Sequence, residues 1–160
     1  MNLDMSIMSY VLGRYFLVAA PGHLLWEFGH VPLYTLWETG AGGEIAFAAL
    51  HCAGGDLLIA AGALVLAIVL LGNRAWPGLR YTAVATGAIG LGVVYTGLSE
   101  WLNVDIRQSW AYREAMPTLP VLGTGVSPLL QWVVVPAAGF WFAGRDGGGV
   151  RDRDPERSGS

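Results

Sequence analysis

The stretch Ile45–Leu71, IAFAALHCAGGDLLIAAGALVLAIVLL, decides the fold class. It is longer than the ~20 apolar residues that carry a helix across the hydrocarbon of a bilayer, and only His51 and Asp56 interrupt it. Three further apolar stretches follow the same pattern, at 10–31, 81–101 and 119–142. The whole chain agrees with them. Of its 160 residues 54% are hydrophobic and 13% charged, with a mean hydropathy of +0.48, far from the balance of a water-soluble domain. The expected fold is therefore all-α, a single domain over 1–144 made of four transmembrane helices, with a short interfacial segment between helices 3 and 4. Residues 145–160, RDGGGVRDRDPERSGS, read as a disordered cytoplasmic tail, because Gly, Ser and mixed charge cannot bury an apolar face.

Charge placement orients the chain. If the four segments alternate, one side receives Arg14, Arg74, Arg80, Arg145, Arg151, Arg153 and Arg157, and the other only Arg107 and Arg113. The arginine-rich side is the cytoplasmic one by the positive-inside rule, which gives N-in, C-in and a multipass protein of the cell membrane, the inner membrane of a bacterium. Small residues before Pro21 resemble a cleavage site, but Arg14 leaves too short an apolar core for a signal peptide, so the first segment reads as a retained helix. A net charge of -3 argues against nucleic acid as a partner, leaving membrane lipids, an apolar small molecule or a membrane protein. Cys52 is the only cysteine, which excludes an intrachain disulfide and a thiolate metal cluster.

Ionisable groups are costly inside a membrane and usually face a bundle interior. His23, Glu27 and His30 are spaced i, i+4, i+7 and fall within about 60° of arc on the first helix, just after Pro21-Gly22. On the second, Glu44 and His51 share a face, whereas Asp56 lies roughly 140° round from His51 among Ala49, Cys52, Ala60 and Ala63, small side chains that admit a neighbouring helix. Glu100 ends the third helix, and Thr124, Ser127 and Gln131 descend the fourth at i, i+3, i+7. Counting about 1.5 Å per residue, these groups all fall in the outer half of the membrane, with His23 and His51 almost level. The expectation is an outward-opening polar pocket above an apolar cytoplasmic half.

Besides transport or proton relay, for which the cytoplasmic half lacks polar groups, three uses of this pocket are open. His23, Glu27, His30 and His51 are candidate metal ligands, and His23 with His51 could hold a haem between two helices. Alternatively Glu27, Asp56 and Glu100 are candidate catalytic acids or bases acting on a lipid or isoprenoid. In the third use the polar groups join helices in a structural or assembly subunit.

One stretch bears on the second use. Glu100, Asn103, Trp110-Ala111-Tyr112, Pro117, Pro120 and the proline-led helix carrying Gln131-Trp132 are similar in order to a region of multipass carotenoid hydratase and lycopene cyclase-type proteins. That resemblance covers about 100–132 and implies chemistry on an isoprenoid, without a residue-by-residue match of catalytic groups. As a whole the chain resembles small uncharacterised bacterial four-helix integral membrane proteins.

Overall fold

The computed structural model describes residues 2–145; most of the polar tail read from the sequence, 146–160, lies outside the described residues. Every regular element in it is helical. Helix α1 spans Asn2–His30 and runs through Pro21, a 3-10 turn at Val31–Leu33 and the one-turn helix α2, Leu36–Thr39, follow, and α3 covers Gly42–Leu71. Helix α4, Tyr81–Trp101, continues as a π-helical turn to Ile106, and α5 covers Val126–Gly144. The four long helices contact one another in the cyclic order α1, α3, α4, α5.

Three of these helices, α3, α4 with its π-helical extension, and α5, are long and apolar enough to cross a membrane. Helix α1 is one residue shorter than α3 but carries Arg14, His23, Glu27 and His30 along its length. Surface chemistry makes the same point. The most apolar window of α3 has a mean hydropathy of 2.4, yet only 17% of it is buried within the protein. Leu58, Val65, Val69 and Leu70 stand exposed along it, a continuous apolar face that water would not tolerate and lipid chains would.

At the end of the bundle formed by the 72–80 connection, here called the base, the core is made of small residues closed around a few large ones. Ala67, Ala85, Ala88 and Ala143 are buried beside Tyr15, Leu64 and Phe140. Tyr15 and Phe140 pack with ring centroids 4.5 Å apart. Carbonyls near the end of α5 are met by side chains. Tyr81 donates to Phe140 O at 2.6 Å, and the Arg14 guanidinium donates to Phe142 O at 2.9 and 3.2 Å.

The opposite end is roofed. The chain after Ile106 does not lie out along an interface but turns back over the helix ends, where Tyr34 and Tyr112 form an antiparallel bridge. Thr35 N donates to Ala111 O at 3.0 Å and Arg113 N to Leu33 O at 2.9 Å. Arg113 then fastens the roof with its side chain, donating to Pro32 O at 2.7 Å and pairing with Glu38 at 2.6 Å. Residues 119–125 also belong to the roof. They form a turn with Gly123 at φ 65°, so α5 starts at Val126, with Pro128 in its first turn where a missing N–H costs nothing.

Glycines admit close approaches between helices. A Cβ on Gly92 of α4 would run into the indole of Trp132 on α5, whereas one on Gly90 would meet open space. Gly92→Ala is therefore expected to cost about 1–3 kcal/mol through overpacking. Gly90→Ala should leave stability unchanged or slightly raised, and thermal unfolding of the two variants in the same detergent makes the comparison.

Candidate functional site

The stripe read on α1 faces inward. His23 is 0%, Glu27 6% and His30 7% exposed. Helix α3 brings Asp56 to it and helix α5 brings Gln131, which is 2% exposed. The Gln131 side-chain nitrogen is the meeting point. It donates to Glu27 Oε1 at 3.0 Å and to Asp56 Oδ2 at 2.8 Å, and lies 3.1 Å from His23 Nδ1. Asp56 Oδ2 is also 3.5 Å from His23 Nδ1, and the Glu27 and Asp56 carboxyls are within hydrogen-bonding reach of each other.

The number of hydrogens limits how this cluster can be satisfied. A primary amide nitrogen has two, and three acceptors surround it. When His23 Nδ1 accepts one of them, the imidazole proton stands on Nε2, a buried atom without a partner. One amide hydrogen then serves two carboxylates. The remaining contact is satisfied when Glu27 and Asp56 hold a proton between their oxygens, as close like charges do in a medium of low dielectric.

His30 links this floor to the roof. Its Nε2 donates to Glu27 Oε2 at 3.2 Å, and its Nδ1 accepts from Ser127 Oγ at 3.1 Å. Ser127 in turn accepts from the Trp26 indole at 3.3 Å. The His30 ring packs edge-on to Tyr34, 5.3 Å between centroids.

A second carboxylate centre lies under the roof. Glu100, 7% exposed, accepts a hydrogen bond from Tyr112 and a longer one, 3.5 Å, from Tyr34, and Tyr112 Oη accepts from Gly125 N at 3.0 Å. Burial, then the neighbouring Glu100 carboxylate, hold the Tyr34 and Tyr112 hydroxyls above the ordinary tyrosine range. The Trp110 indole nitrogen is buried on the wall of the same space, with no partner at hydrogen-bond geometry.

Between floor and roof lies a cavity of about 330 Å³, within the range of small-molecule sites. Glu27, His30, Asp56, Glu100 and Gln131 reach it, and Leu36, Ala48, Ile59 and Trp132 give it mostly apolar walls. The other expected members are placed differently. Glu44 accepts from Ala41 N at 2.8 Å and caps the start of α3. His51 stands exposed at the edge of the cavity, stacked on Phe47 with centroids 5.6 Å apart. His23 packs against Trp132 and does not line the cavity, so the two imidazoles of the haem reading are not presented to one space. Among the described residues, no group of three or more His, Cys, Asp and Glu side chains could hold a metal ion. Tyr34 was not expected in the site, and Tyr112 only as a gate, with Trp110, in a lid over the pocket. Nothing in the spacing of Tyr34 and Tyr112 signals the bridge that joins them, which closes across 77 residues of intervening chain.

No protein-family model, curated protein or solved structure matches the chain, so the site is argued from its own geometry.

Two outcomes follow from the hydrogen-bond arrangement. Gln131→Leu strips the shared donor from two buried carboxylates and should cost about 3 kcal/mol of stability, seen as a lowered unfolding temperature in detergent, whereas Gln131→Glu should disrupt it further by adding a carboxylate. The roof tyrosines set an alkaline limit. Their folded pKa values are raised, so their contribution is complete below the unfolded value near pH 10 and is lost progressively as pH rises above it. A pH series of unfolding temperatures should therefore be flat to about pH 10 and fall beyond it, with a shallower fall in Tyr112→Phe.

Proposed function

We propose that this protein is a four-helix transmembrane bundle with both termini on the cytoplasmic side of a bacterial inner membrane. Its roofed cavity binds an apolar, lipid-like molecule, on which the Glu27 and Asp56 pair performs acid–base chemistry. The arginine count supports the orientation: Arg14, Arg74, Arg80 and Arg145 all belong to the base end. Helix α1 joins α3, α4 and α5 as a fourth span because its ionisable groups face its neighbours and the residues it turns outward, such as Leu17, Leu25 and Phe28, are apolar.

The observation that carries the functional reading is the sharing of one amide nitrogen by two carboxylates and an imidazole at the floor of a largely apolar cavity. A proton held between two carboxyls, with His23 beside them, can be given to a substrate and recovered from it. General acid–base catalysis of this kind contributes about 10²–10⁴ in rate. Glu100 and Tyr34 at the other end supply hydrogen bonds for a polar group of the bound molecule. The stretch similar to carotenoid hydratases and lycopene cyclase-type proteins supplies Glu100, Trp110, Gln131 and Trp132 to the cavity, which favours an isoprenoid as the molecule.

The test is to purify the wild type, Glu27→Gln and Asp56→Asn in nanodiscs and identify retained lipid-soluble molecules by mass spectrometry. Both variants should retain a substrate that the wild type converts, with conversion slowed by at least about 100-fold. Retention of nothing by any of the three proteins, with both variants merely less stable, would return the cluster to a role in joining helices. The same samples read the metal and haem alternative. A Soret band or stoichiometric metal that disappears in His23→Ala and His51→Ala would replace the present reading.

A further inference from the structure

The residues lining the cavity differ sharply in exposure, and the difference locates its opening. Glu100 and Gln131 are buried and the roof residues Tyr34 and Trp110 are mostly covered. The lining residues that stay exposed are His51 and Cys52 on α3 and Tyr95 on α4, the last 52% exposed. These two helices are tight at the base, where Gly87 of α4 leaves room only for Leu71 and Ala67 of α3. Toward the roof both helices line the cavity, α3 through His51, Cys52, Gly55 and Asp56 and α4 through Tyr95, Thr96, Ser99 and Glu100. Flanking the opening, Phe47, Leu50 and Leu98 are 68%, 56% and 61% exposed, which makes its surroundings lipid-facing. Above it the water side is closed by the Tyr34 and Tyr112 bridge and by Arg113 on Glu38 and Pro32.

The charge of the lining is one-sided. Glu27, Asp56 and Glu100 reach the cavity, no arginine or lysine does, and the basic groups facing them are His30, already bonded to Glu27, and His51 at the edge, with His23 behind Gln131. An anionic headgroup would be brought against carboxylates in a medium of low dielectric. A neutral or cationic one would not, and Tyr34, Tyr95 and Trp110 offer aromatic faces to a cation.

We propose that the cavity is filled sideways from the bilayer, through the gap between α3 and α4 edged by His51, Cys52 and Tyr95, and that it takes a neutral or cationic amphiphile in preference to an anionic lipid. This rests on the reading of the cavity as a ligand site and adds its route of access and its charge preference.

Cys52 is the only thiol of the chain and reports on the gap directly. The full-length protein in liposomes is treated with a lipid-soluble pyrene maleimide and, separately, with a sulfonated maleimide confined to water. Leu58→Cys in a Cys52→Ser background serves as the lipid-facing control, since Leu58 is 76% exposed on the same helix. Cys52 should react with the lipid-soluble reagent within about threefold of the control rate and at least about tenfold faster than with the water-borne one. Opening the roof with Arg113→Ala should raise the water-borne reaction. Tetraphenylphosphonium should slow lipid-phase labelling of Cys52, and tetraphenylborate, of the same shape and opposite charge, should not.

Equal reaction with the water-borne reagent in the wild type, a Cys52 inert to both reagents while the control reacts, or equal protection by the two ions would each overturn the proposal. Labelling reads access and not turnover. An open gap in a protein that retains no lipid overturns the functional reading, while a closed gap in a protein that does retain lipid overturns this inference alone.

Discussion

The side-chain amide of Gln131 is the contact on which the roofed half of this protein depends. It joins α5 to α1 through Glu27 and His23, and to α3 through Asp56, at distances of 2.8 to 3.1 Å. In a site that excludes water such contacts are stronger than at a surface, and leaving any of them unmade costs the desolvation of a buried polar group. The fourth helix is tied in differently. Helix α4 reaches the site by packing, with Gly92 receiving the Trp132 ring, which in turn lies 5.1 Å from the His23 ring. A hydrogen-bonded centre backed by a flat aromatic holds three helices at one spacing without filling the space between α3 and α4.

The two halves of the bundle solve different packing problems. At the base, alanines and glycines bring helices together around Tyr15, Leu64 and Phe140, and side chains reach the last carbonyls of α5. Toward the roof, carboxylates and imidazoles occupy the interior. They cannot be packed against apolar side chains without partners, so they are paired with one another and enclose a cavity. Polar satisfaction and a vacant volume thus come from the same residues.

Much of this was legible in the sequence where the relevant relation is local. The spacing of His23, Glu27 and His30 put them on one face, and that face is the buried one. Helical arithmetic also separated Asp56 from His51, and the small residues around Asp56 pointed to a neighbouring helix, which proves to be the side of α1 and α5. Relations across the bundle were not legible. Two histidines level in depth looked like a facing pair, yet His51 sits at the edge and stacks on Phe47, because depth carries no information on rotation about a neighbour. The 102–118 segment had the composition of an interfacial helix. Its backbone instead pairs with 33–35, a partnership set by long-range closure and by Arg113 rather than by local pattern.

The central claim is that Glu27 and Asp56 share a proton at neutral pH while the Gln131 amide bridges them. Infrared difference spectroscopy on the protein in lipid reads this directly, through the carbonyl stretch of a protonated carboxylic acid. Such a band is expected in the wild type at neutral pH, shifting in deuterated water and changing in both Glu27→Gln and Asp56→Asn. Its absence from the wild type, or its persistence unaltered in both variants, would contradict a shared proton.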